Sequence, residues 1–75
     1  MNIQIRYCGE GNYLPQASSL QAAIKKKYGI TAVLKEGHSG IFEVSINDDV
    51  VYTNETTYRF PRDEEIFEKI DAAKK

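Results

Sequence analysis

Residues Tyr7–Pro15 read YCGEGNYLP, and within this stretch the chain changes its hydrophobic period. Before it, NIQIRY (Asn2–Tyr7) alternates, with Ile3, Ile5 and Tyr7 on one face and Gln4 and Arg6 on the other. That is the pattern of a half-buried strand, here ending at Cys8. After it, Ala17, Leu20, Ala23 or Ile24, and Tyr28 recur at spacings of three and four, as the buried stripe of a helix does. Gly9 and Gly11 break the strand, and Pro15 suits the first helical turn, where its missing N–H leaves no intrahelical bond unmade. A strand, a glycine turn and a helix call for a second strand, parallel to the first and reached by a right-handed crossover.

ITAVLKE (Ile30–Glu36) meets that requirement. Being β-branched and apolar on both faces, it predicts a strand covered by other elements. Lys25, Lys26 and Lys27 fall in the last turn of the preceding helix, which favours cations, and Gly29 supplies the stop. The lysine run therefore reads as a solvated helix end before it reads as a patch for an anionic partner. Farther on, IFEVSI (Ile41–Ile46) alternates again, Asn47, Asp48 and Asp49 are turn formers, and VVYT (Val50–Thr53) follows at once. Ile41–Thr53 is thus a hairpin, and its outer strand VVYT is an edge where a second copy could pair. Asn54–Arg59 reads as a loop. The last helix is expected from Pro61, with Asp63, Glu64 and Glu65 in its first turn, Lys74 and Lys75 at its end, and Ile66, Phe67, Ile70 and Ala73 as its apolar face.

The fold class is therefore α/β: a minimal thioredoxin-like β-α-β-β-β-α sandwich. Its mixed four-stranded sheet is expected in the order 2-1-3-4, with two helices covering it. At 75 residues this is a single domain, residues 1–75, which removes roughly 60% of its unfolded surface from water on folding. No apolar run approaches the ~20 residues that span a bilayer, and no secretory signal is visible, so a soluble cytoplasmic protein without a membrane partner is expected. A net charge of −1 offers no field for phosphate backbones, which argues against a nucleic-acid partner. The chain's Cys8 and His38 fall short of the roughly four ligands of a structural zinc site, so no metal and no resident cofactor are expected.

Three blocks carry a family resemblance. YCGEGNYLPQASSLQAAIKKKYGI resembles the start of the selenoprotein W-like family (the SelT/SelW/SelH, or Rdx, group), in which a strand ends in Tyr-Cys-x-x-Cys or Tyr-Cys-x-x-selenocysteine. LKEGHSGIFEVSINDDVVYTN is similar to its second block, a glycine-flanked loop opening a hairpin, and YRFPRDEEIFEKI to its third, where Phe-Pro and acidic residues open the terminal helix. The likeness runs from about Ile3 to Ile70. It implies a thioredoxin-like fold and a part in cell redox homeostasis. Of the redox pair only Cys8 carries over, with Tyr7, Gly9 and Tyr13 as surroundings; Gly11 stands where the resemblance puts the second redox residue. Both prolines, Pro15 and Pro61, stand at helix starts, so the proline that thioredoxins keep before their third strand has no counterpart.

Thiol–disulfide exchange needs an attacking thiolate and a second thiol to resolve the mixed disulfide. Cys8 is the candidate nucleophile, and nothing in the chain resolves, so glutathione would have to serve as co-substrate. The thiol has little to activate it: the helix starts several residues on, Glu10 is acidic, and Arg6 is read as facing away. Tyr7, Gly9, Glu10, Gly11, Tyr13 and His38 are the candidate binding residues around it. His38, in the loop before the hairpin, is the one side chain that could pair with the thiol as a base. Asp63, Glu64 and Glu65 read as helix-start charges. Three functions stay open: a degenerate redox-family member that binds a protein or small-thiol partner at the Cys8 end, a glutathione-dependent monothiol oxidoreductase, and an interaction module with Cys8 buried. Gly11→Cys is expected to rebuild a pair able to close.

Overall fold

The change of period at Tyr7–Pro15 is a strand handing over to a helix. In the computed structural model, which describes residues 1–37, 40–54 and 59–74, β1 (Ile3–Cys8) ends at the cysteine and α1 (Tyr13–Tyr28) follows. Then come β2 (Val33–Gly37), β3 (Phe42–Ile46), β4 (Asp49–Thr53) and α2 (Asp63–Ala73). The sheet order is β2-β1-β3-β4, as the sequence predicts, with β1 parallel to β2 and antiparallel to β3. β4 pairs antiparallel with β3 through a bulge between Val44 and Ser45. Asn47 and Asp48, with φ of 51° and 73°, make the hairpin turn. Positive φ at both central residues is the type I′ signature, whose twist matches that of the flanking strands.

Both helices lie on one face of the sheet. α1 covers β1 and β2, α2 covers β3 and β4, and the two helices touch. Ile3, Ile5, Phe42, Val44 and Ile46 from the strands meet Ala17, Leu20 and Ile24 of α1 and Ile66 and Ile70 of α2 in a single core. α1 closes on Gly29, left-handed at φ 71°, whose N–H donates to the Lys25 carbonyl at 2.9 Å. The lysine run before it is not wholly solvated: the Lys27 ammonium lies 4.6 Å from the centre of the Phe67 ring, which meets Tyr28 edge-on. The Tyr28 hydroxyl donates to Asp71 at 2.7 Å, and burial followed by that bond pushes the phenol up to about 12.

Three expectations change. The second strand starts at Val33, and Val33 is 54% exposed, so it is not covered on both faces. The reason is placement: β2 is a sheet edge, and the helices shelter only one side of it. Ala32, just before the strand, supplies the burial instead. The last helix starts at Asp63, two residues after Pro61, because Arg62 is extended at φ −81°, ψ 152° and serves as its N-cap. There the Arg62 N–H donates to the Glu65 carboxylate at 3.1 Å, which supplies the acceptor that a helix start lacks. Ala73 is exposed, and the apolar face of α2 is Ile66, Phe67 and Ile70. Of the Asn54–Arg59 loop, residues 55–58 lie outside the described residues.

Candidate functional site at the Cys8 end of the sheet

Cys8 closes β1 between two other segments. Its N–H donates to the Ile41 carbonyl at 2.8 Å, and the Gly9 N–H donates to the Gly37 carbonyl at 3.3 Å. The end of β1 is thereby pinned from both sides, and Cys8 keeps only 8% of its surface.

Alternation decides which face the thiol belongs to. With Ile3, Ile5 and Tyr7 toward the helices, a period of two puts Cys8 with Gln4 and Arg6 on the other side. Arg6 therefore shares the face of Cys8, against the sequence expectation. Its aliphatic stem runs that way: a Cβ built on Gly37, the partner of Cys8 in β2, would sit 3.1 Å from Arg6 Cγ and 2.8 Å from Ile41 Cγ2. Ile41 and the Arg6 stem fill the space over Gly37, beside the cysteine. At the neighbouring Gly9 a Cβ would come within 2.6 Å of the Glu36 carboxylate carbon, so that side chain lies across the glycine.

The loop between β1 and α1 is shaped for glycine at one position. Gly11 has φ +79°, in the left-handed region, and a Cβ there would meet only the Tyr13 ring at 3.7 Å. Space is available, but the backbone disfavours most residues that carry a Cβ, cysteine among them, by about 1–2 kcal/mol. A cysteine at Gly11 would have to leave this conformation or bear the strain. Tyr13, the first residue of α1, stacks edge-on against Phe60 at 5.4 Å, and Phe60 against Phe42 at 5.1 Å. The Tyr13 hydroxyl also approaches Gly40, where a Cβ would be 3.1 Å away. Tyr13 thus ties the helix start to the loop before β3 and to the approach to α2.

Of the residues singled out in the sequence, Cys8, Gly9, Gly11 and Tyr13 gather at this end. Glu10 is exposed in the same loop, and Tyr7 packs on the opposite, helix-covered face. His38 lies outside the described residues. Sequence reading missed Glu36, Ile41 and Asn54. The Asn54 side chain donates to the Gly40 carbonyl at 2.8 Å and accepts from the Phe42 N–H at 3.0 Å, clamping the loop before β3. An asparagine directly after a strand is the kind of residue that makes such backbone bonds. Glu65 does more than favour the helix dipole: it takes two bonds from Arg59, at 2.7 and 3.0 Å, and these, with the Arg62 N–H, hold its carboxyl down at about 2.

Solved structures share this architecture almost over its full length. A selenoprotein W-related protein from Vibrio cholerae superposes with a TM-score of 0.89 over 96% of this chain and 94% of its own, at 17% identity. A protein from Bordetella parapertussis gives 0.89 over 96% and 95%, at 20% identity. Identities that low establish the fold alone. No curated protein matches the sequence. The family model described as "Rdx family" matches residues 2–72, which takes in every strand and nearly all of the terminal helix: this chain belongs to the Rdx family.

Proposed function

We propose that this Rdx-family chain engages a protein or small-thiol partner at the Cys8 end of the sheet without dithiol–disulfide turnover. The observation that supports this reading is a lone thiol, 8% exposed, at the end of β1, with no second thiol in the chain to resolve a mixed disulfide. The loop that follows it presents Gly9, Glu10 and Gly11 to solvent, so recognition rests on the loop and its backbone before it rests on sulfur. A cytoplasmic place and a part in redox homeostasis go with this reading.

Family membership favours one alternative, monothiol exchange. In that reaction the Cys8 thiolate attacks the glutathione sulfur of a mixed disulfide between glutathione and a substrate thiol, forms the Cys8–glutathione bond and releases the substrate as its thiolate. A second glutathione thiolate then attacks the adduct, frees Cys8 and leaves as glutathione disulfide, so that glutathione is oxidised as the substrate is reduced. The two readings separate in one experiment. Alkylation of Cys8 in the native protein is compared with the unfolded chain, alongside glutathione-dependent reduction of a model disulfide by the parent and by Cys8→Ala. The proposal expects alkylation at least about tenfold slower in the native state, and no reduction above the Cys8→Ala background. Native alkylation at the unfolded rate, together with reduction that Cys8→Ala abolishes, would replace it with monothiol catalysis.

A further inference from the structure

The face of the sheet away from the helices has no cover within the described residues. Gln4, Arg6, Val33, Lys35, Glu43, Ser45 and Val50 line a shallow concavity there. Val33 and Val50 are each 54% exposed, high for strand valines. With helices on one side of the four-stranded sheet, the other side is left open among the described residues.

The strand registers arrange these residues in two rows across the sheet. One row is Val33–Gln4–Ser45–Val50, and the next is Lys35–Arg6–Glu43–Thr53. Both rows are complementary about their own midpoint, the line between β1 and β3. The first has valine at both ends and an amide and a hydroxyl in the middle. The second has two cations on one half and a carboxylate and a hydroxyl on the other. Neither Arg6 nor Glu43 makes an ion pair within the chain among the described residues.

We propose that this open face is the docking surface for a second copy of the chain, stacked about a two-fold axis parallel to the strands between β1 and β3. Such an axis carries β2 over the partner copy's β4, and β1 over its β3. Val33 then meets Val50 of the other copy, Gln4 meets Ser45, and Arg6 meets Glu43, each contact occurring twice as isologous symmetry requires. A two-fold axis running across the strands instead lays Lys35 on Val33, so the rows select the first. Four strands at ~4.8 Å and five residues at ~3.3 Å give a patch of roughly 19 by 17 Å. Allowing for side-chain relief, two such faces bury about 1,000 Å² in total, the lower limit for a specific interface, so the dimer is weak and concentration-dependent.

The arrangement also fixes what the dimer is not. The axis keeps both Cys8 residues at the same end of the stack. With sheets ~10 Å apart and neighbouring strands ~4.8 Å apart, their Cα atoms stand about 11 Å from each other. That is beyond the ~7 Å limit for a disulfide, so association is non-covalent and indifferent to reductant.

Sedimentation equilibrium of the full chain from about 10 µM to about 1 mM, with and without a thiol reductant, tests this. A reductant-independent monomer–dimer equilibrium is expected. Val33→Asp and Val50→Asp, both at exposed positions, should each weaken it by about tenfold or more. Arg6→Glu and Glu43→Arg should each weaken it comparably, and the double variant should restore it to within about threefold, because the swap returns opposite charges to each contact. Far-ultraviolet circular dichroism confirms that each variant is folded; if Arg6→Glu is not, the two valine variants decide. A monomer throughout the range would overturn the proposal. So would a dimer untouched by the four face variants, as pairing through the β4 edge would give, or one lost on reduction.

Discussion

On the helix side of the sheet, Ile3, Ile5, Phe42, Val44 and Ile46 are at most 3% exposed, whereas on the other side Val33 and Val50 keep 54% of their surface. The same four strands build both faces, so the difference comes from what lies on them and not from backbone pairing. Alternation sorts the side chains, but only the helices turn one set into a core. Cys8 is the exception that completes the comparison. It belongs by period to the open face, yet it is buried, at an end of the sheet where its N–H is bonded to the Ile41 carbonyl and the Ile41 and Arg6 side chains lie over the adjacent Gly37.

The contrast breaks most clearly under truncation. Ile5→Ala removes a side chain with no exposed surface from the centre of the core, and the expected loss is about 2–5 kcal/mol of unfolding free energy. Val33→Ala, one row away on the opposite face, should stay within about 0.5 kcal/mol in dilute solution. Urea unfolding at a concentration where the chain is monomeric measures both. Similar losses at the two sites would mean that the open face is covered even in the monomer.

A smaller effect sharpens the comparison at the Cys8 end. Asn54→Ala removes two bonds that hold the loop before β3, to the Gly40 carbonyl and from the Phe42 N–H, with an expected cost of about 1–2 kcal/mol. Because Ile41 lies within that loop, Cys8 should also alkylate faster in the native variant than in the parent. A loss of stability with no change at Cys8 would show that the loop shelters the thiol without help from Asn54.

How much of this the sequence carried depends on whether the information was local. β1, α1 and the hairpin were legible because each is written in its own period, glycine stop or turn residues. The sheet order was legible from connection rules alone. The second strand misled because Ile30–Glu36 is apolar on both faces, and nothing local says that β2 would become an edge with one side uncovered. Likewise, the burial of Cys8 stayed one reading among three, since the segment at Ile41 that bonds its N–H is distant in sequence. Arg6 beside Cys8 is a different case: the period of two already required it. The glycine at position 11 was readable as a turn former, but not the left-handed φ of +79° that shapes the loop to glycine.

The smallest expected effect concerns how the covered face is closed. Arg59, whose carbonyl accepts the buried Tyr52 hydroxyl, grips Glu65 in the first turn of α2, so the pair joins the chain after β4 to the helix that roofs the core. Glu65 has its carboxyl lowered from an ordinary 4.5 to about 2, first by Arg59 and then by the Arg62 N–H. For a lowered carboxyl the stabilisation is complete above the unfolded value and disappears as pH falls through the folded one. Glu65→Gln should therefore be less stable than the parent at neutral pH, with the gap narrowing from about pH 4.5 and closing near pH 2. Both side chains are partly exposed, at 51% and 35%, so solvent screening keeps the gap small and added salt should shrink it further. Thermal unfolding of the two proteins across that range reads it out. A gap that persists unchanged at pH 2 would assign the contribution of Glu65 to packing at the helix start and not to its charge.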